Sequence, residues 1–245
     1  MNKKINTLSM DSSHISIQSL ETKILIKNIK PFDLLFFDGS SVISDMIEFT
    51  EKIFRGNGEF SHVAIVVNKQ IMPCLNVCND DTLYLFESTI DNAVPDAETG
   101  NIKYGVQIRN MNKVINSYNG AVYWAKLINN PIIKLNHELG IVYHDRINNL
   151  KMIMNNLHTK YINDTYQYNI CRLLAPFLPY CYCLRSKCCF GKDEMFCSEL
   201  VSIVYTNIGV KNLIKYEKKE GYSNETMLPS DVESNMIVET PIQIK

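Results

Sequence analysis

The segment His62-Val63-Ala64-Ile65-Val66-Val67 limits the fold more than any other stretch of the chain. Every side chain after the first is apolar. A strand with that composition has no face to give to water, so it belongs inside a sheet covered on both sides. Such an arrangement needs neighbouring strands and two apolar layers. The 245 residues are enough for one domain with a sizeable core, or for two small ones. At 46% apolar and 21% charged residues, the chain has the proportions of a soluble globular protein.

The neighbouring strands can be read from pattern. Pro31 precedes Asp33-Leu34-Leu35-Phe36-Phe37, a buried strand closed by the turn signal Asp38-Gly39. Leu83-Tyr84-Leu85-Phe86-Glu87-Ser88 is a further strand, and residues 104–108 another, with Arg109 just beyond it. Residues 121–127 are read as a strand because Val122, Tyr123 and Trp124 suit a sheet surface. Residues 23–29 form a short strand or a lead-in. Helical spacing marks 42–54 and 143–160, the second through Ile147, Leu150, Ile153, Met154 and Leu157. A helix begins near Cys197 and is stopped by Gly209. The expected division is a loose N-terminal arm over 1–22, one domain over 23–235, and a C-terminal tail over 236–245.

Charge and cysteine usage narrow the class. The formal net charge of −1 offers no long-range attraction to nucleic acid, and no basic–aromatic stripe is present, so no nucleic-acid partner is expected. No apolar run approaches the ~18 residues of a membrane span. The polar start after Met1 lacks a signal-peptide core, so a cytoplasmic location is expected and the eight cysteines are read as thiols. Cys181, Cys183, Cys188 and Cys189 lack the paired knuckle spacing of structural zinc sites. Neither a metal nor another cofactor is expected.

Two residues flank one strand pair in a suggestive way. His62 opens its strand and Glu87 lies near the end of the next. In an antiparallel pair the start of one strand lies beside the end of its neighbour, so both come to one edge if their side-chain parity agrees. A carboxylate at that position holds an imidazole in one tautomer, as a general base requires. Of the eight thiols, Cys197 has the best setting for a nucleophile. A helix N-terminus stabilises a thiolate, and its first-turn N–H groups offer donors to an oxyanion. Ser198 follows as first-turn support, and Glu199 either caps backbone donors of the first turn or faces solvent.

The segments Asp33–Phe37, Phe60-Ser61-His62 to Val67, Leu85-Phe86-Glu87-Ser88 and Phe196-Cys197-Ser198-Glu199-Leu200-Val201 resemble the permuted papain-like branch of the NlpC/P60 superfamily. The likeness is to its YiiX/YaeF-like cysteine hydrolases and their poxvirus relatives. The resemblance spans roughly residues 31–231 and follows the permuted order, with the histidine and acid first and the cysteine last. It implies an α+β fold, a circularly permuted papain-like domain in which an antiparallel sheet packs against a helix carrying the nucleophile. It implies Cys197 as nucleophile, His62 as base and Glu87 as the residue that orients it, acting on an amide or acyl bond. The implied substrate is acylated or amide-containing, lipid-modified substrates included, and the setting is that of a viral protein in the host cytoplasm. The family often has Gly before the Asp of the first strand, and here Phe32 stands there. It often has a cleft-lining Tyr between the long helix and the cysteine, for which Tyr161 and Tyr166 both qualify.

A competing reading keeps the fold without turnover, as a binding or scaffold protein at a lipid or protein surface. Its motivation is the stretch 177–190, where Phe177, Leu178, Tyr180, Tyr182, Leu184 and Phe190 stand beside Arg185 and Lys187. That composition suits peripheral membrane contact. His14, His137, His144 and His158 show no ligand spacing. Nothing in the sequence sets an oligomeric state.

Overall fold

The strand His62–Val67 (β2) lies between two others, as its two apolar faces require. The computed structural model describes residues 22–39, 60–77, 80–135, 141–163, 195–210 and 237–245. The helix expected over 42–54, the cysteine-rich stretch 171–190 with its membrane-contact candidate 177–190, and His14, His137 and Tyr166 lie outside these residues. Among the described residues the strands are β1 (Leu34–Gly39), β2, β3 (Tyr84–Thr89), β4 (Gly105–Asn110), β5 (Gly120–Ala125) and β6 (Ile242–Gln243). They form one sheet in the order β4-β3-β2-β1-β5-β6, and each neighbouring pair runs antiparallel. The helices are α1 (22–28), α2 (Met111–Ser117), α3 (Pro131–Leu135), α4 (Ile141–Asn163) and α5 (Cys197–Asn207). The fold class is α+β.

Alternation along the strands sorts the core into two layers. Leu34, Phe36, Val63, Ile65, Val67, Phe86 and Ile108 face one side, where Leu200, Val201, Val204 and Tyr205 of α5 and Met154 and Leu157 of α4 cover them. Leu35, Phe37, Ala64, Val66, Leu85, Val122 and Trp124 face the other, covered by Met111, Val114 and Ile115 of α2, and by Ile29 and Ile244. Removing such apolar area from water is the main stabilising term in a fold of this kind.

Several expectations are corrected. Residues 22–28 are helical rather than a strand: Leu25, Ile26 and Ile29 place an apolar stripe at helical spacing against the second layer. Asp38-Gly39 extends β1 instead of ending it, and Gly39 pairs with Gly120. There a Cβ on Gly120 would lie 2.2 Å from the Asp38 carbonyl oxygen, so only glycine fits. Arg109 lies within β4, not beyond it, and the helix α2 follows directly. Residues 237–245 supply β6 and a bridge from Val238 to Leu127.

The entrance to β1 is tied down from several directions. The buried Asp33 carboxylate accepts from the Lys30 and Leu127 backbone N–H groups, from Trp124 Nε1 at 3.0 Å and from Asn130 Nδ2. Phe32, before it, adopts a left-handed φ of 70° while fully buried. A bulky residue there stores about 1–3 kcal/mol of backbone strain, which the buried ring offsets. The Phe32 N–H donates to the Val66 carbonyl at 2.7 Å, and the Tyr205 hydroxyl donates to the Phe32 carbonyl at 2.6 Å. At the far end of α5, Gly209 takes φ 85° and the Val210 N–H returns to the Tyr205 carbonyl, which ends the helix as the sequence indicates.

Candidate active site

In the β2–β3 ladder Ile65 lies opposite Phe86 and Val67 opposite Tyr84. Continuing that register sets Glu87 opposite Ala64, so Glu87 and His62 share a face as diagonal neighbours. The parity that sequence could not supply is therefore favourable. His62 Nε2 and Glu87 Oε2 are 2.6 Å apart. The imidazole also packs on Phe37, with ring centroids 5.3 Å apart, which limits its swing.

Glu87 is itself held. Arg109 Nε donates to Glu87 Oε1 at 2.6 Å, and Arg109 Nη1 donates to Asp91 Oδ2 at 2.6 Å. Both Glu87 and Arg109 are 1% exposed. Burial works against ionising Glu87, but Arg109 and His62 outweigh it and hold its pKa near 2. Burial likewise disfavours the imidazolium of His62. Its contacts with the Cys197 thiol and Glu87 prevail and raise its pKa to about 9. Arg109 is held above its ordinary value, since Glu87 and Asp91 outweigh its own burial. The result is a chain of alternating charge, Asp91–Arg109–Glu87–His62, that ends at a sulfur.

The sulfur arrives from the opposite face of the sheet. Cys197 is the first residue of α5 and packs with the layer that includes Val63 and Ile65. Ser88, next to Glu87 but pointing the other way, donates from Oγ to the Met195 carbonyl at 2.6 Å. One strand end therefore carries both anchors: Glu87 for the imidazole and Ser88 for the segment leading to the thiol. His62 stands where β2 begins, and its ring touches both groups. With Nε2 engaged by the carboxylate, Nδ1 is the nitrogen left for the sulfur. Glu199 turns back and accepts from the Phe196 N–H at 2.9 Å, the capping role of the two its sequence position allows. Ser198, second in the helix, is buried.

Chemically, this arrangement offers a thiol next to an oriented imidazole, at a helix end whose N–H groups have no intrahelical acceptor. Sequence reading missed Arg109 and Asp91. The available signal was charge complementarity: Arg109 follows Gln107 at the polar positions of a strand next to the one that carries Glu87. Of the other residues singled out, Trp124 serves the Asp33 network, Tyr123 meets Phe60 edge-on at 5.2 Å, and Tyr161 is buried in the first core layer. Among the described residues, no group of three or more His, Cys, Asp or Glu side chains is placed to hold a metal ion.

No family model matches this chain, and no curated protein does. Among solved structures, the crystal structure of metalloprotein yiiX from Escherichia coli O157:H7 is similar at a TM-score of 0.44 and 14% identity. The likeness covers 87% of this chain and 96% of that one. It is a distant structural match.

Proposed function

We propose that this chain is a thiol hydrolase or acyl transferase on a permuted papain-like scaffold of the NlpC/P60 kind. Cys197 is the nucleophile, His62 the general base and acid, Glu87 the residue that orients His62, and Ser198 part of the first-turn oxyanion support. One observation carries this reading: the His62 ring lies between a carboxylate 2.6 Å away and the thiol that heads α5.

In this mechanism His62 takes the thiol proton and the sulfur attacks a substrate carbonyl. The first-turn N–H groups of α5 receive the oxyanion. As the carbon–nitrogen or carbon–oxygen bond breaks, His62 returns the proton to the leaving amine or alcohol. Water, or a second acceptor, then cleaves the thioester and regenerates the thiol. Substrates are amides or acyl compounds, lipid-modified ones included, met in the cytoplasm, with residues 177–190 as the peripheral membrane contact.

The test sets burial against activation. Cys197 is 3% exposed, so burial alone makes it a slow thiol. Activation by His62 makes it the fastest. With exposed Cys74 replaced by Ser, iodoacetamide near neutral pH is expected to label Cys197 before the remaining thiols. His62→Ala is expected to slow that labelling. Slow labelling that His62→Ala leaves unchanged overturns the assignment. Intact-mass detection of an acyl adduct on Cys197, after exposure to a panel of acyl and peptidyl substrates, then names the bond class. If Cys197 labels fast but no substrate leaves an adduct, the silent scaffold reading is favoured.

A further inference from the structure

The molecule holds a second cysteine–histidine–glutamate group, remote in sequence from the first. Cys74 lies in the connection between β2 and β3, Glu98 in the connection between β3 and β4, and His158 on α4. His158 Nε2 and Glu98 Oε2 are 2.8 Å apart, and the Cys74 thiol is in hydrogen-bonding contact with the His158 ring. The group is braced by backbone. Glu98 Oε1 accepts from the Asn76 N–H at 2.9 Å, and Asn155, one turn before His158, accepts from the Cys74 N–H at 3.1 Å. His158 is buried while Cys74 is exposed, so the thiol faces solvent with its base behind it. Among the described residues, Lys103 and Asp96 are charged groups near Glu98; Lys103 Nζ donates to the Ile162 carbonyl, and Asp96 Oδ1 accepts from the Glu98 N–H.

The bracing decides which chemistry suits this site. Attack on a carbonyl needs a donor for the oxyanion, and the N–H groups of Cys74, Leu75 and Asn76 are already given to Asn155, the Met72 carbonyl and Glu98. Attack on a disulfide needs no such donor. The charge there develops on the departing sulfur, which requires only a proton. We infer that Cys74, His158 and Glu98 form a thiol–disulfide exchange site that takes low-molecular-weight disulfides such as glutathione disulfide. His158, oriented by Glu98, removes the Cys74 proton. The sulfur attacks one sulfur of the reagent, a new S–S bond forms as the old one breaks, and the leaving thiolate takes the proton from His158. One protein thiol and one disulfide become one mixed disulfide and one free thiol. A second thiol reverses the step.

The experiment uses the full reduced chain with glutathione disulfide near neutral pH. Peptide-mapped mass spectrometry follows the rate at each cysteine. Cys74 in the native chain is expected to react about tenfold or more faster than Cys74 in the same chain unfolded in urea. His158→Gln is expected to remove that advantage and Glu98→Gln to reduce it, while iodoacetamide labelling of Cys197 is unchanged. A native rate no greater than the unfolded rate overturns the assignment, and this comparison needs no variant to fold. A folded His158→Gln chain that reacts as fast as the parent overturns it as well.

Discussion

Two histidines in this chain are each hydrogen-bonded to a glutamate and each touch a cysteine, yet their surroundings differ in nearly every other respect. His62 is set in a sheet, its glutamate is backed by Arg109 and Asp91, and its thiol heads a helix. His158 is on a helix, its glutamate is backed by the Asn76 N–H, and its thiol is on an exposed connection. The same three side-chain types are therefore suited to different reactions. Helix-head N–H groups suit Cys197 to a carbonyl, while a committed N–H suits Cys74 to a reaction without an oxyanion. What each residue can do is fixed by its backbone context as much as by its partners.

The largest contrast is in what happens when each glutamate is removed. Glu87→Ala takes away the acceptor of Arg109 Nε and leaves the guanidinium, which is buried and has no accessible neutral form, with Asp91 as its remaining acidic partner. A loss of about 3–5 kcal/mol of stability is expected. Glu98→Ala leaves the exposed Asn76 N–H, which water can satisfy, and His158, which can shed its proton, so the expected loss is that of a hydrogen bond, about 1–2 kcal/mol. Urea unfolding of both variants measures the difference. Equal losses would mean that the existing pair with Asp91 is enough to satisfy Arg109, and the link to Glu87 would then carry little weight.

The next contrast is kinetic. His62→Ala is expected to slow alkylation of Cys197, and any acyl transfer, by about 10²–10⁴-fold, with disulfide exchange at Cys74 unchanged. The pH dependence sharpens the same point. His62 must hold a proton to release a leaving group, so kcat/KM is expected to fall as pH rises through about 9. Glu87→Gln, which removes the carboxylate that favours the imidazolium, should move that limb to lower pH. The stability effect has a definite sign. The folded chain raises both His62 and His158 from 6.5 to about 9, so their contribution is complete below pH 6.5 and is lost as pH climbs to 9. Urea midpoints measured across that window should decline, and His62→Gln and His158→Gln should each remove part of the decline. A decline unaffected by either variant would show that the histidines do not cause it.

The sequence made one half of this comparison visible and hid the other, for physical reasons. Val63 to Val67 could belong only to an internal strand, and the resemblance to the permuted papain-like branch implied that His62, Glu87 and Cys197 meet. Parity was not legible, because a one-residue slip in register would have turned Glu87 to the opposite face. Arg109 was placed outside its strand because charged residues usually end strands. Its burial depends on Glu87, a partner 22 residues away that local pattern does not register. The short segment 22–28 was ambiguous because two or three apolar residues satisfy both a strand and a helix period, and only packing against the second core layer decides. Cys74, Glu98 and His158 carry no spacing signal at all. They come from two connections and a helix, and nothing but the fold brings them together.

The smallest expected effect tests whether the two thiol sites are mechanically separate. Tyr205 is fully buried on α5, and its hydroxyl donates to the carbonyl of Phe32, the residue held at φ 70° at the entrance to β1. Tyr205→Phe keeps the ring and removes that donor, so a buried carbonyl loses its partner from α5 and stability should fall by about 1–2 kcal/mol. Because Cys197 heads the same helix, a slight change in the seating of α5 should reach the His62–Cys197 contact and slow alkylation of Cys197 by less than about tenfold. Cys74 is carried by a connection braced on α4, not α5, so its exchange with glutathione disulfide should keep the parent rate. If Cys74 slows in step with Cys197, the substitution loosens the whole domain rather than one helix. The two sites would then share a single mechanical fate, despite their separate chemistry.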